Sequence, residues 1–232
     1  MYANFFKRTI DLILSAVALI VLSPILLMLA ALGAVFMKGN PFFLQPRPGK
    51  KDKSGKERIF KLIKFRTMSN AKDKNGRLLP DEIRLNKYGK FLRSTSLDEL
   101  PELLNIVKGD MAIVGPRPQL VRDMIFMTDE QRRRHNVRPG LTGLAQVNGR
   151  NNITWEQKFE YDLKYIDSGV SFLSDLKIIC QTVGKVLKRS DTVRDGTASD
   201  IDLGDWLMLN GKVDREAYDE KQEEARKILM CE

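Results

Sequence analysis

A run of apolar residues from Leu12 to Met37, LILSAVALIVLSPILLMLAALGAVFM, dominates the amino-terminal pattern and holds no charge over about 26 positions. About 20 such residues reach across the hydrocarbon core of a bilayer, so the run is long enough to enter a membrane. A cleaved signal peptide has a shorter apolar stretch, roughly 7–15 residues, and fits poorly. Ser23-Pro24 falls near the middle, where proline removes a helical N–H and its ring meets the carbonyl four residues back. Lys7 and Arg8 precede the run; Lys38, Arg47, Lys50, Lys51 and Lys53 follow it. A spanning helix leaves its basic flank mainly on one side. Basic flanks at both ends favour a re-entrant segment, helix–break–helix at Ser23 and Pro24, over a kinked single span.

Beyond it the pattern predicts an α+β globule, mostly helical with a small sheet. Residues 41–58 are rich in Pro, Gly and Lys and read as a surface loop. Ile59 to Phe65 alternates imperfectly, as a strand does. Helical patterning covers about 81–92 and 119–135. Met111–Val114 reads as a short buried strand opening into Gly115-Pro116-Arg117-Pro118, and 137–152 as loop with a short strand. Phe172, Leu173, Leu176, Ile179, Cys180, Val183, Val186 and Leu187 make one helical face, with Lys177, Lys185, Lys188 and Arg189 elsewhere. Such a stripe packs into a core or lies in a membrane interface as an amphipathic helix, and spacing alone separates neither. From about Asp191 the chain turns acidic. The organisation is therefore 1–38 membrane segment, 39–190 globular domain, and 191–232 acidic tail.

Charge narrows the partners. Lys and Arg total 39 against 30 Asp and Glu, a net +9, which suits an acidic membrane surface, a phosphorylated substrate or nucleic acid. Nucleic acid is poorly served, since aromatic interleaving and any known binding module are missing. His135 is the sole histidine, which excludes histidine-cluster metal chemistry; Cys180 and Cys231 lack CxxC spacing and fit a reducing compartment. With no GxGxxG or GxxxxGK[ST], phosphate must be held by side chains on isolated turns.

The candidates are carboxylates and cations. Asp98-Glu99 follows Arg93 and a run of hydroxyl residues. Ser96 with Glu99 matches a helix-capping box, but Pro101 would then sit too deep in the helix; a start nearer Asp98 returns it to the tolerant first turn. Arg47, Lys64, Arg66, Arg93, Arg117, Arg138 and Arg150 fall on expected loops, most beside Gly- or Pro-rich turns, which suits bidentate phosphate binding. Asp200-x-Asp202 has the look of a metal-binding pair but lies in a stretch that reads as a solvated linker.

Several longer strings carry a resemblance: FKRTIDL (6–12), Ser23-Pro24, QPRPG (45–49), KFRTM (64–68), LRSTSLDELPELLN (92–105), GDMAIVGPRP (109–118), RPGLTGLAQVNGRN (138–151), FEYDLKYI (159–166) and FLSDLKII (172–179). Together, over roughly residues 1–190, they resemble the monotopic phosphoglycosyl transferases, or bacterial sugar transferases, and most the small members such as those that handle diacetylbacillosamine. The resemblance implies that Asp98 attacks the β-phosphate of a UDP-sugar, releasing UMP, and that polyprenol phosphate (undecaprenyl phosphate) then takes the phosphosugar from the aspartyl intermediate. It implies Mg²⁺ held by Asp98 and Glu99. It gives Lys64, Arg66, Arg93, Arg117, Arg138 and Arg150 as phosphate-binding cations, with Asp162 and Asp175 orienting them. It also implies a monotopic enzyme on the cytoplasmic face of a bacterial inner membrane, in contact with membrane lipids and compatible with a homodimer. The sugar is left open.

Overall fold

The computed structural model describes residues 2–149, 152–188 and 201–230. The apolar run forms one helix, α1 (Lys7–Phe36), and the helix continues across Pro24. Pro24 has no N–H to give the carbonyl of Ile20. The Ser23 hydroxyl donates to that carbonyl instead, at 2.7 Å. Most of α1 is apolar and outward-facing, including Ile13, Ile20, Val21, Leu27, Met28 and Val35. Its inward contacts run along one face, with hydrogen bonds near both ends. Near the start, Arg8 donates to the carbonyls of Ile106 (2.5 Å) and Val107 (2.8 Å), and Asp11 accepts from Ile113 N–H at 3.3 Å. Near the finish, the Tyr88 hydroxyl donates to Leu29 O (2.7 Å) and the Asn86 amide to Phe36 O (3.2 Å). Leu26, Leu29 and Ala30 pack on Phe65, Tyr88 and Leu92, while Ala18, Leu19 and Leu22 pack on Phe60, Leu62, Leu103, Ile106 and Met111.

The segment read as loop over 41–58 is largely strand. β1 (Phe42–Lys51) pairs antiparallel with β2 (Glu57–Phe65), Phe42 opposite Phe65, with an irregularity between Pro48 and Lys51. Pro46 and Pro48 do not prevent this because β1 is an edge strand, with β2 as its only partner among the described residues. A second pair is parallel: β3 (Ala112–Val114) with β4 (Gly140–Thr142). Here two motifs meet. A Cβ on Gly115 would lie 2.4 Å from the Arg138 carbonyl oxygen, and one on Gly140 would lie 2.1 Å from Gly115 N, so only glycines allow the approach. The single sheet expected is thus two small ones.

The helical stretch expected at 81–92 divides into α2 (Asp81–Arg84) and α3 (Lys87–Thr95), because Asn86 caps the second by accepting from Gly89 N–H at 2.8 Å. After α4 (Glu102–Lys108), the 119–135 stretch resolves into α5 (Val121–Met124), α6 (Asp129–Arg132) and a 3₁₀ turn at Arg133–Asn136. A short α7 (Leu144–Val147) precedes α8 (Trp155–Asp167), which opens on a Thr154/Gln157 capping box, and α9 (Phe172–Lys188). Ile178 and Asp175 of α9 turn inward, while Phe172, Leu173, Leu176, Val183 and Val186 face out.

The tail carries α10 (Leu203–Leu209) and α11 (Arg215–Met230). Both dock on the globule. Leu203 is buried against Phe126, Met127, Trp155 and Phe159; Ala225 joins Val121, Met124 and Ile125; and Trp155 Nε1 donates to Ile201 O at 3.1 Å.

Candidate active site

The site is built on a reversal of the chain. α3 ends at Ser96, a non-glycine residue in the left-handed region with φ 56°, a conformation that costs free energy and concentrates at functional sites. The chain then makes a 3₁₀ turn, Leu97–Glu99, and enters α4 behind Pro101. The start nearer Asp98 is therefore the one adopted, and Pro101 sits where its missing N–H is harmless. The capping box is not formed: Ser96 places no side-chain bond on the following turn, and the Glu99 carboxylate faces cations instead.

Three elements bring charge to this turn. Lys64, at the end of β2, lies 3.1 Å from Glu99 Oε1 and 3.1 Å from Glu102 Oε1. Arg117, on the loop after β3, donates to Glu99 Oε1 at 2.5 Å. Arg93, in the last turn of α3, donates to Thr67 Oγ1 at 3.1 Å and acts on Asp98 through its charge. Buried Asn105 of α4 holds β2 in register with the turn, accepting from Ile63 N–H (3.0 Å) and donating to Lys61 O (2.9 Å).

Burial, then the charge of Glu99, pushes the Asp98 carboxyl above its ordinary pKa, while Lys64, Arg117 and Arg93 pull it back down. Glu102 is raised as well, chiefly by burial and further by Glu99. Glu99 in turn holds the Arg117 guanidinium firmly protonated. The result is a half-buried carboxylate whose charge is opposed by desolvation and restored by fixed cations, an environment suited to a reactive group meeting a diphosphate.

Arg117 is itself supported from behind. Arg134, almost fully buried, pairs with Asp162 at 2.9 and 2.7 Å and donates to the Arg117 carbonyl at 2.7 Å. Arg47 donates to Pro118 O (3.0 Å) and Gln45 Oε1 (2.7 Å); burial and then the charge of Arg117 pull its pKa down to about 10.

The remaining sequence-derived residues fall elsewhere. Asp175 accepts from Lys7 (2.5 Å), Tyr2 (2.8 Å) and Tyr165 (2.7 Å), tying the start of α1 to α8 and α9. Arg138 donates to Gly109 O at 3.0 Å, with its guanidinium close enough to Arg8 to feel its charge. Arg66 is half-buried just past β2, its backbone N–H on Pro41 O at 2.7 Å. Arg150 and Asp200 lie outside the described residues. Asp202 pairs with Arg122 at 2.5 Å rather than lying in a free linker. Glu102 and Arg134 were not singled out from sequence. Glu102 stands three residues after Glu99, a spacing that places both on one side of a turn. Arg134 gave no signal, because RRRHN reads as a solvated charge run.

Among the described residues no group of three or more metal-type side chains stands together. Magnesium does not require one: one or two carboxylates suffice when substrate phosphate and water complete the shell. Asp98 and Glu99 meet that requirement.

The bacterial sugar transferase family matches residues 2–189. The uncharacterized sugar transferase EpsL of Bacillus subtilis (strain 168) is 49% identical over 181 residues, covering 78% of this chain and 87% of that protein. The UDP-glucose:undecaprenyl-phosphate glucose-1-phosphate transferase of Klebsiella pneumoniae is 44% identical over 195 residues, and there the match spans 78% of this chain but only 40% of the longer relative. The exopolysaccharide production protein ExoY of Sinorhizobium fredii (strain NBRC 101917 / NGR234) is 36% identical over 198 residues, covering 78% and 84%. The chain belongs to the bacterial sugar transferase family.

Proposed function

We propose that this enzyme transfers a sugar phosphate from a UDP-sugar to undecaprenyl phosphate in two steps through Asp98. In the first, an Asp98 carboxylate oxygen bonds to the β-phosphorus as the bond to the bridging oxygen breaks, and UMP leaves. In the second, an oxygen of the acceptor phosphate bonds to the same phosphorus, the acyl phosphate bond breaks, and Asp98 is restored. The activity for which the Klebsiella relative is named supports the donor and carrier classes. The placement of Asp98 among Lys64, Arg93 and Arg117 supports the nucleophile, because a carboxylate approaches a diphosphate only where fixed cations offset the repulsion. Asp98 and Glu99 would hold Mg²⁺, which when bound would neutralise charge on the transferring phosphoryl group.

The contacts of α1 support a re-entrant membrane segment. A continuous helix of 30 residues, about 45 Å, is long enough to cross the ~30 Å hydrocarbon core, so its contacts and not its length support re-entry. Its beginning and end touch the same globule, whereas a crossing helix would leave them on opposite faces. The apolar exposed faces of α1 and α9 suit insertion from one side, with the globule in the cytoplasm.

Incubation with UDP-sugar alone, followed by mass spectrometry, tests the chemistry. A phosphosugar on the Asp98 peptide and matching UMP release are expected, and both should vanish in Asp98→Asn. UMP that appears only when acceptor is present would overturn the two-step reading. A panel of UDP-sugars in the same assay identifies the donor.

A further inference from the structure

A cavity of about 450 Å³ opens beside the charged turn, bounded by residues 94–100, β3, β4, α7 and α9. Glu99 and Arg117 stand on its wall, and much of the remaining lining is apolar: Leu100, Ile113, Leu141, Val147, Ile179 and Val183. Its size is that of a small-molecule site. Ser94, Thr95, Ser96, Thr142, Gln146, Thr182 and Lys185 complete the lining; its apolar share gives the edges of a base and the hydroxyls of a hexose no hydrogen-bond partners, which such groups need. A hydrocarbon chain needs none.

The cavity also reaches the surface on a particular side. Val183 and Val186 line it and are 54% and 53% exposed. Along the same helix Leu176, Leu173 and Phe172 are exposed too. An apolar helix face turned to solvent, flanked by Lys177 and Lys185, is the kind that settles at a bilayer surface. The apolar wall is thus continuous with the face from which a lipid arrives, and the guanidinium of Arg117 stands at its charged end. Arg117, paired with Glu99, at one end and hydrocarbon lining towards the lipid side suit an amphiphile whose phosphate would take Arg117 as a partner.

From this we infer that the cavity holds the first isoprene units of the polyprenyl phosphate acceptor, with its phosphate directed towards Arg117, so that α9 reads the lipid. The inference rests on the transfer reaction proposed above and adds the wall of the protein that selects the acceptor. It leaves the atoms of that reaction unchanged: the acceptor oxygen replaces the Asp98 oxygen on phosphorus.

Ile179→Trp and Val183→Trp would fill the cavity from α9, the second at a position exposed enough to tolerate bulk. Loading by UDP-sugar and transfer to undecaprenyl phosphate are measured on one preparation. The ratio of transfer efficiency to loading rate should fall about tenfold or more. An unchanged ratio with normal turnover would place the chain elsewhere. A parallel loss of both steps in Val183→Trp would mean the cavity serves the nucleotide sugar. Both outcomes overturn the inference. A photoreactive isoprenyl phosphate gives a readout independent of turnover. Labelling of the 172–188 peptide, competed by undecaprenyl phosphate, is expected, and labelling confined to α1 would refute the assignment. A wild-type protein that neither loads nor releases UMP yet shows the competed α9 labelling would remove the proposed reaction and keep the site.

Discussion

Asp98 must be ionised to attack phosphorus, yet burial and then Glu99 raise its pKa against the pull of Lys64, Arg117 and Arg93. Loading should therefore fail as pH drops through that raised value, with an acid limb above the ~3.9 of an ordinary aspartate. Arg117→Ala removes one of the cations that lower it, so the limb should move to higher pH. The same change takes from Glu99 its 2.5 Å partner, and loading should slow on the order of 10²–10³-fold. Rapid-quench measurement of UMP release across pH checks both; a limb that stays in place would separate Arg117 from the nucleophile.

A second set of titrating residues bears on stability rather than chemistry. Arg132 and His135 both meet Glu57, at 2.7 and 3.2 Å. Burial opposes ionisation of Glu57, but hydrogen bonds from His135 and Arg132 hold its pKa to about 2. Burial pulls His135 down to about 4, so at neutral pH the imidazole is uncharged and gives its Nδ1–H to the carboxylate. Folded, both groups bind protons less readily than the unfolded chain, whose values are about 4.3 and 6.5. The His135 contribution is full above about pH 6.5 and fades towards 4; that of Glu57 is full above about 4.3 and fades towards 2. The melting temperature should fall steadily on acidification from pH 7, and His135→Gln should flatten the upper part of that curve.

At the scale of elements, α1 passes Pro24 because one hydroxyl takes over a carbonyl that proline cannot serve. Ser23→Ala should leave Ile20 O without this donor and cost about 1 kcal/mol, read as a lower unfolding midpoint in detergent. Topology is testable on the same element. With native cysteines removed, single cysteines at Phe5 and Lys53 should label from one side of sealed vesicles; labelling from opposite sides would establish a crossing helix. β1 gives a contrasting lesson. Two prolines and a lysine cluster mark a loop by composition, but as an edge strand β1 can hold Pro46 and Pro48 where a central strand could not.

The whole molecule includes more than the region shared with its family. The match ends at residue 189, yet Leu203 is 2% exposed and α10–α11 cover Phe126, Met127, Trp155 and Phe159. Leu203→Ala should destabilise the protein by about 2–5 kcal/mol, measured by denaturant unfolding. A shift near zero would make the tail an independent appendage. This packing also covers the segment that follows the Arg117 loop, since buried Asp123 accepts from Leu203 N–H at 2.9 Å.

Local order determined much of this protein. A charge-free run with one proline, a carboxylate pair between hydroxyls and a proline, and paired glycine motifs are legible because period, turn chemistry and backbone sterics act over a few residues. Which cations serve which carboxylates was decided only by tertiary structure. Lys64, Arg93 and Arg117 converge on Asp98 and Glu99 from β2, α3 and the loop after β3, whereas Arg138 is spent on Gly109, Asp162 on buried Arg134, and Asp175 on Lys7. Nothing in a charged residue's neighbours along the chain distinguishes these fates. The difference is made by Gly115 against Gly140 and Asn105 against β2, contacts between segments that only packing brings together.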